Sequence, residues 1–352
     1  MTTTTPVVRV LGDLAHAGSH AWAAACDCAP PRVLADRPDG TVVRSGPVVA
    51  KAHAPDTDPP GLAARLALAA APLLTGILLP PLPVPAPRGA PDPAAHPAAH
   101  PAAHPASSRT AGVPSAVLSG VTPDGRPVSL WPHGEPVDPA DPDAAPWEEA
   151  GVLLARLHRT APPHPLPPMR GPAKAARAVA RMCAARAGDP DIAPVLAAWR
   201  SLPAWARDEA PATGPRARFV CHGDLHLGQL VRHPAPHGPW LLIDVDDAGL
   251  GDPTWDLARP AAWYAAGLLP PEVWLRFLDA YRSEGGPAVC AEGDPWPELD
   301  VAARALTVQT AALAFAKSAA EGRSPDEVEQ LMIDACVRIA SLPPELTAET
   351  TS

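Results

Sequence analysis

The sequence predicts an α+β chain of two lobes, a small β-rich front lobe and a larger, mostly helical rear lobe. Three observations carry that expectation. Short β-forming runs separated by turn signals fill the first third. From Pro146 onward, apolar residues recur at helical spacing. Around 218–245 that texture is interrupted by short apolar runs and a cluster of histidines and aspartates. At 352 residues the chain is long enough for two lobes, each with a core. The expected boundaries are 1–135 and 136–345, joined near Trp131–Asp143.

In the front lobe, Val33–Leu34, Thr41–Val43 and Val48–Ala50 are short β-formers. Pro38-Asp39-Gly40 and Ser45-Gly46 separate them with turn chemistry. One helix is expected over Gly61–Ala71. The run from Leu66 to Pro87, LALAAAPLLTGILLPPLPVPAP, carries no charge. A membrane-spanning helix needs roughly 20 apolar residues, but Pro72, Pro80, Pro81, Pro83 and Pro85 break this one. A buried helix followed by a strand or loop is expected instead, with no membrane partner. Next comes the tandem repeat PDPAAHPAAHPAAHPA, Pro91 to Ala106. A proline at every fourth residue forbids a helix, so His96, His100 and His104 form no helical metal face. An extended or disordered insert over 88–110 is expected. SAVLSGVTPDGRPVSLWPHG then gives a second hairpin around Pro123-Asp124-Gly125.

In the rear lobe, PWEEAGVLLARLHR places Trp147, Ala150, Leu153, Leu154 and Leu157 on one helical face. Glu148 and Glu149 fall in its first turn and Arg156 to Arg159 in its last, which suits the helix dipole. Further on, Ser324-Pro-Asp-Glu327 reads as a capping box. Val328, Leu331, Met332, Ala335 and Ile339 are expected to follow on one face.

The 28 basic and 38 acidic side chains give a net charge of −10, with no basic excess for a nucleic-acid partner. Six cysteines lie at 26, 28, 183, 221, 290 and 336. A lone C-x-C is poor evidence for zinc, and scattered thiols fit a reducing, cytoplasmic setting. The start, MTTTTPVVRV, lacks the pattern of a signal peptide.

The chemistry concentrates in CHGDLHLGQL, Cys221 to Leu230, and in LLIDVDDAGLGDPTWDLA, Leu241 to Ala258. A metal hydrolase would use His222, Asp224, His226 and a later aspartate, and those ligand types suit zinc or manganese. Phosphoryl transfer fits the spacing better. Its catalytic loop reads His-x-Asp, four residues, then an amide, as in His222-x-Asp224 followed by Gln229. The aspartate accepts the proton of an attacking hydroxyl, the amide reaches magnesium, and a second carboxylate arrives on a following strand. Asp244 is placed for that.

These two motifs resemble those of the aminoglycoside phosphotransferase family, within the wider protein-kinase-like fold. In that family the first reads roughly H-G-D-x-x-x-x-N and the second I-D, then G-D-P-x-x-D-L-A. Both occur here in order. Val48-Val49-Ala50-Lys51 also resembles the nucleotide-lysine strand V-A-I-K. The resemblance implies a bilobal fold whose first lobe binds nucleotide, with Pro132, His133 and Gly134 near the hinge. It implies ATP and Mg2+ as cofactors, Asp224 as catalytic base, Gln229 and Asp244 as magnesium ligands, and Lys51 on the ATP phosphates. His222 would brace the loop, and Asp252 and Asp256 would cap turns and hold the metal loop.

Three departures qualify the pattern. Gln229 replaces the family's Asn, as in maltokinase-like and glucosamine-kinase-like members. The helix Gly61–Ala71 holds no acid to pair with Lys51, and Asp56 and Asp58 precede it. No G-x-G-x-x-G covers the phosphates, and the turn Pro38–Gly40 is the nearest candidate. The expected partner is a small-molecule hydroxyl acceptor, an aminoglycoside or a sugar. Trp263, Tyr264 and Trp274 are either sugar-stacking or core aromatics. The alternatives are a maltose- or amino-sugar-type kinase and a nucleotide-binding pseudokinase.

Overall fold

A computed structural model of the chain describes residues 5–22, 30–37, 39–83, 118–212 and 215–342. The Pro/Ala/His insert expected over 88–110, Cys26-x-Cys28 and Pro38 lie outside the described residues. The chain divides into two compact units, Met1–Ala71 with Leu79–Gly134, and Pro72–Leu78 with Glu135–Ser352.

The first unit is built on an antiparallel sheet. Its strands are β1 (Arg32–Arg37), β2 (Gly40–Ser45), β3 (Val48–Ala52), β4 (Leu118–Val121) and β5 (Pro127–Pro132), in the order β1-β2-β3-β5-β4. Alternation along the strands sends Val43, Val48, Ala50, Ala52, Val128 and Leu130 to one buried face. Helix α1 (Pro6–Trp22) covers that face with Leu11 and Ala15. The sequence reading assigned this lobe one helix, and its described residues form two. Val7, Val8 and Val10 obscure α1, because β-branched residues suggest a strand locally. Its helical signal is the buried stripe Leu11, Ala15, Ser19, four residues apart, which is stabilised by packing on the sheet rather than by propensity.

The second helix, α2 (Pro59–Ala69), starts two residues before the expected Gly61. Asp58 is its N-cap and accepts a hydrogen bond from the Gly61 amide at 2.8 Å. The uncharged run that follows is no spanning helix in its described part. A 3-10 turn occupies Pro72–Leu74. In the first unit Leu82 then bridges Leu130, and in the second Leu78 bridges Leu242.

The second unit is mostly helical: α3 (Trp147–Arg159), α4 (Gly171–Ala185), α5 (Ala193–Arg200), α6 (Thr254–Ala265), α7 (Pro271–Ser283), α8 (Trp296–Glu321) and α9 (Glu327–Ala340). The face expected on α3 is buried in full, from Trp147 to Leu157. Alanines and larger residues of α4, α5, α6, α8 and α9 enclose one shared core, including Met182, Val195, Ala262, Val308 and Met332. Among the described residues, α8 is the one helix long and apolar enough to cross a membrane by length and composition. Of its most apolar window 67% is buried, as in the central helix of a globular core.

Helix α9 corrects one detail. The capping box is Asp326 with Glu329, two residues later than expected. Arg323 grips both carboxylate oxygens of Glu329, at 2.6 and 2.7 Å, and so favours the later register. The buried face is accordingly Met332, Ile333, Ala335 and Cys336, while Val328 and Leu331 are exposed.

Candidate active site

Two small sheets interrupt the helices and carry both motifs. One pairs β7 (Phe219–Cys221) with β10 (Gly249–Gly251), antiparallel. The other orders β6 (Glu135–Pro136), β8 (Leu230–Arg232) and β9 (Trp240–Leu242). The register Leu230↔Leu242 continues outward through a hydrogen bond from the Ile243 amide to the Gln229 carbonyl, at 2.9 Å. Gln229 and Asp244 therefore leave the same end of this hairpin. Asp244 adopts a left-handed conformation, φ 65°, ψ 72°, and precedes a 3-10 turn over Val245–Asp247.

The catalytic-loop segment His222 to Asp224 follows β7 and is held from beneath by Asp256 on α6. One Asp256 oxygen accepts the His222 amide at 2.6 Å and the other accepts the Gly223 amide at 2.7 Å. His158 Nε2 bonds Asp256 at 2.9 Å, and His158 Nδ1 meets the Tyr281 hydroxyl at 2.8 Å. The Ala288 amide donates to that hydroxyl at 2.9 Å. All four side chains of this chain of contacts, His222, Asp256, His158 and Tyr281, are buried. Burial by itself would raise the Asp256 carboxyl, but the His158 hydrogen bond and the charge and amide of His222 outweigh it and hold the carboxyl down. Gly223 has φ +83°, and a Cβ there would lie 2.4 Å from the Asp247 carbonyl oxygen, so the turn requires glycine. His222 braces the same turn, its Nε2 donating to the Ile243 carbonyl at 2.8 Å.

Asp224 emerges from this frame and meets two cations. Lys174 Nζ on α4 lies 2.6 Å from its Oδ2, and an Arg259 guanidinium nitrogen on α6 lies 2.8 Å from its Oδ1. Lys174 also bonds Asp247 Oδ2 at 2.8 Å. Burial opposes ionisation of Asp224, yet Lys174 and Arg259 prevail and hold its carboxyl below the ordinary value. Asp247 moves the other way. Burial raises it, and Asp224 and Asp244 repel its charge, more than Lys174 can offset. The position of Lys174 follows from backbone pairing. Residues 167–170 run along β10, with Leu250 bonding the Pro167 carbonyl and Met169 bonding the Leu250 carbonyl, each at 2.9 Å. That approach needs Gly249, where a Cβ would lie 2.3 Å from the Pro167 oxygen. The Arg170 amide then bonds the Asp247 carbonyl at 2.9 Å, and α4 starts one residue later.

Of the four expected site residues, Asp224 and Asp244 lie in this cluster, and Gln229 stands beside Asp244 at the end of the β8–β9 hairpin. Lys51 lies on β3 of the first unit, paired across the sheet with Val42 and Ser129. Asp252 accepts from the Thr254 amide and hydroxyl at the start of α6, and pairs with Arg216. His222 Nε2 donates to the Ile243 carbonyl, and His226 Nδ1 accepts from the Gly228 amide. In a buried trio of metal-ligating types, His158, Cys221 and Asp256, the first and last make the hydrogen bonds above and the thiol donates to the Phe219 carbonyl at 3.6 Å. Trp274 is a core aromatic, buried and stacked on Tyr264 at 5.7 Å. Trp263 packs against the helical core and also lines a small apolar cavity with Trp147, Leu225 and His226.

Sequence reasoning missed Lys174, Arg259, Asp247 and His158. Arg259 and Asp247 lie inside the second motif stretch and its continuation, so proximity to the motif was an available signal. Lys174 and His158 sit in helices of ordinary amphipathic pattern, which gave none.

The donor set fits magnesium. A Gln229 amide oxygen and the Asp244 carboxylate are hard oxygen ligands, and Mg2+ takes few protein carboxylates beside phosphate oxygens. The mutual repulsion of Asp224, Asp244 and Asp247 marks a place that favours a cation. Such an ion would neutralise phosphate charge and polarise the group under attack.

Residues 63–293 match the model of the family described as "Phosphotransferase enzyme family" (APH). No curated protein matches the chain in sequence. Solved structures do. A thermostable mutant of aminoglycoside phosphotransferase APH(4)-Ia, in ternary complex with AMP-PNP and hygromycin B, is 14% identical with a TM-score of 0.55, covering 96% of this chain and 100% of that one. A choline/ethanolamine kinase family protein from Mesorhizobium loti is 15% identical, TM-score 0.52, covering 97% and 99%. A microcompartment-associated aminopropanol kinase is 17% identical, TM-score 0.51, covering 97% and 99%. The shared fold is protein-kinase-like, an antiparallel sheet followed by a mostly helical region.

Proposed function

Because the chain belongs to the phosphotransferase enzyme family, we propose that it transfers the terminal phosphoryl group of ATP to a hydroxyl of a small molecule. The observation that carries this reading is the convergence of Asp224, Gln229 and Asp244 at the ends of β7, β8 and β9, on a turn braced by Asp256. Asp224 accepts the proton of the acceptor hydroxyl. The hydroxyl oxygen bonds to the terminal phosphorus as the bond to the ADP oxygen breaks. Gln229 and Asp244 hold magnesium, and Lys51 holds nucleotide phosphates. Positioning and charge neutralisation supply most of the rate in such transfers.

The acceptor we favour is an aminoglycoside. A sugar is the second reading, and Gln229 supports it, because glutamine at this point resembles the sugar kinases of the superfamily. The scattered cysteines, two of them buried thiols at Cys221 and Cys336, support a reducing, cytoplasmic setting. A coupled ADP-release assay over aminoglycosides, amino sugars, maltose, choline and ethanolamine tests the proposal. The expected result is magnesium-dependent transfer to one class, abolished by chelation. Binding of Mg-ATP with no transfer to any compound would favour a pseudokinase, and failure to bind nucleotide would overturn the reading.

A further inference from the structure

We infer that Lys174 is a nucleotide-sensing residue: it pairs with Asp224 and Asp247 and turns to the terminal phosphate of bound ATP. The inference rests on the phosphotransfer reading above and extends it to a residue outside both motifs.

The argument starts from the two oxygens of Asp224. To accept a proton, Asp224 must place one oxygen within hydrogen-bond reach of the acceptor hydroxyl, about 2.6–3.2 Å. Each oxygen already holds one cation, Oδ1 Arg259 and Oδ2 Lys174, and a hydroxyl that approaches a remaining lone pair must share the oxygen with that cation. The two cations are not equally movable. Arg259 is tied to the loop at a second point, its Nε bonding the Leu225 carbonyl at 3.0 Å, and its planar fork fixes both contacts together. Lys174 is a point charge on a flexible stem, with donors that rotate freely. Its side chain is 26% exposed, so the ammonium is not sealed in place. Oδ2 is therefore the oxygen that can be vacated, and Lys174 is the group that leaves it.

An ammonium that leaves two carboxylates needs another anion within reach. In a productive geometry the hydroxyl oxygen sits about 3–3.5 Å from the phosphorus it attacks. With that hydroxyl on Oδ2, the terminal phosphate oxygens fall within roughly 6 Å of Oδ2, which is inside the swing of a lysine side chain. Lys174 already stands 2.6 Å from Oδ2. Its other partner, Asp247, is crowded by Asp224 and Asp244, so a cation binding to Asp244 would also weaken the hold of that cluster on Lys174. Arg170 lies 3.9 Å from Asp247 and remains to pair with it. The exchange frees the base and neutralises the group under attack in one movement of one side chain.

The test compares two nucleotides that differ in the terminal phosphate. Calorimetric titration with Mg-AMP-PNP and Mg-ADP is performed on the wild type, Lys174→Met, Lys174→Gln and Lys174→Arg, with thermal melts as a check on folding. Lys174→Met and Lys174→Gln should lose AMP-PNP affinity by tenfold or more while ADP affinity changes less than twofold, and Lys174→Arg should restore much of the difference. Should Lys174→Met fail to fold, Lys174→Gln, which keeps a donor to the two carboxylates, decides. Equal losses for both nucleotides, or none, would show a structural lysine and overturn the inference while leaving the phosphotransferase reading intact. A wild type that binds neither nucleotide would overturn both.

Discussion

Asp224 and Asp256 stand on opposite sides of the same turn, both ionised and both supplied with partners, yet they are held in different ways. Asp256 is fully buried and takes two backbone amides and an imidazole. Those donors are fixed by the fold. Asp224 is part-exposed and takes the ends of two long side chains, from α4 and α6. Its partners can be exchanged without moving the backbone. The difference teaches how to separate a brace from a working group when both carry the same charge. The brace is satisfied by donors that cannot leave, and the working group by donors that can.

The largest effect should come from breaking the brace. Asp256→Asn places an amide N–H₂ against donors that need an acceptor. Leaving a buried polar group unsatisfied costs about 1–3 kcal/mol, so a loss of roughly 3 kcal/mol is expected for the set, with activity and nucleotide binding falling together. Urea unfolding measures it. A variant as stable as the wild type would mean that the His158 and amide contacts carry little energy and that the contrast with Asp224 is empty.

Asp224→Asn should do the reverse. Its partners are partly hydrated, so stability should change by about 1 kcal/mol or less. Transfer should fall by about 10²–10⁴-fold, the usual contribution of a general base, with Mg-ATP affinity largely kept. Side-by-side calorimetry and the transfer assay read both quantities. Parallel loss of nucleotide affinity would move Asp224 from the acceptor to the metal.

A smaller effect is expected for the conservative change at Gln229. Gln229→Asn presents the same amide oxygen on a shorter stem and should retain part of the magnesium-dependent turnover, whereas Gln229→Leu should remove it. Equal activity of the leucine variant would take Gln229 out of the site.

The contrast between the two aspartates also marks what was legible in the sequence. That the segments carrying Asp224, Gln229 and Asp244 come together was readable, because loop and hairpin are nearly contiguous and local spacing sets their geometry. The brace was half readable. Asp256 stood out in the second motif, but its partner His158 lies 98 residues away in a helix whose sequence shows only an apolar stripe. Lys174 was hidden, because its place depends on residues 167–170 pairing with β10, a long-range backbone contact with no local sign. Helix α1 was obscured by valines that a sheet face later stabilises as helix. The capping box slipped by two residues because Ser324-x-x-Glu327 and Asp326-x-x-Glu329 both satisfy the pattern, and only the Arg323–Glu329 pair separates them.

The smallest expected effect sharpens the comparison at a third side chain of the loop. His226 lies two residues beyond Asp224, and its Nδ1 accepts the Gly228 amide at 3.0 Å. That contact requires the neutral ring. Burial lowers the His226 pKa to about 4, against the attraction of Asp224 and helped by Arg259, His222 and Lys174. A histidine depressed in the folded state contributes stability that is fully present above its unfolded value, about 6.5. The contribution is lost progressively as pH falls from there toward 4. His226→Asn keeps an acceptor for the same amide, since asparagine caps the residue two positions on, and removes the titration. Wild type and variant should therefore unfold alike in urea at neutral pH, with the wild type losing more stability on acidification through that window. Curves that stay parallel at every pH would show that His226 is not held neutral by the loop. The turn would then respond to Asp256 beneath it but not to the charges around Asp224.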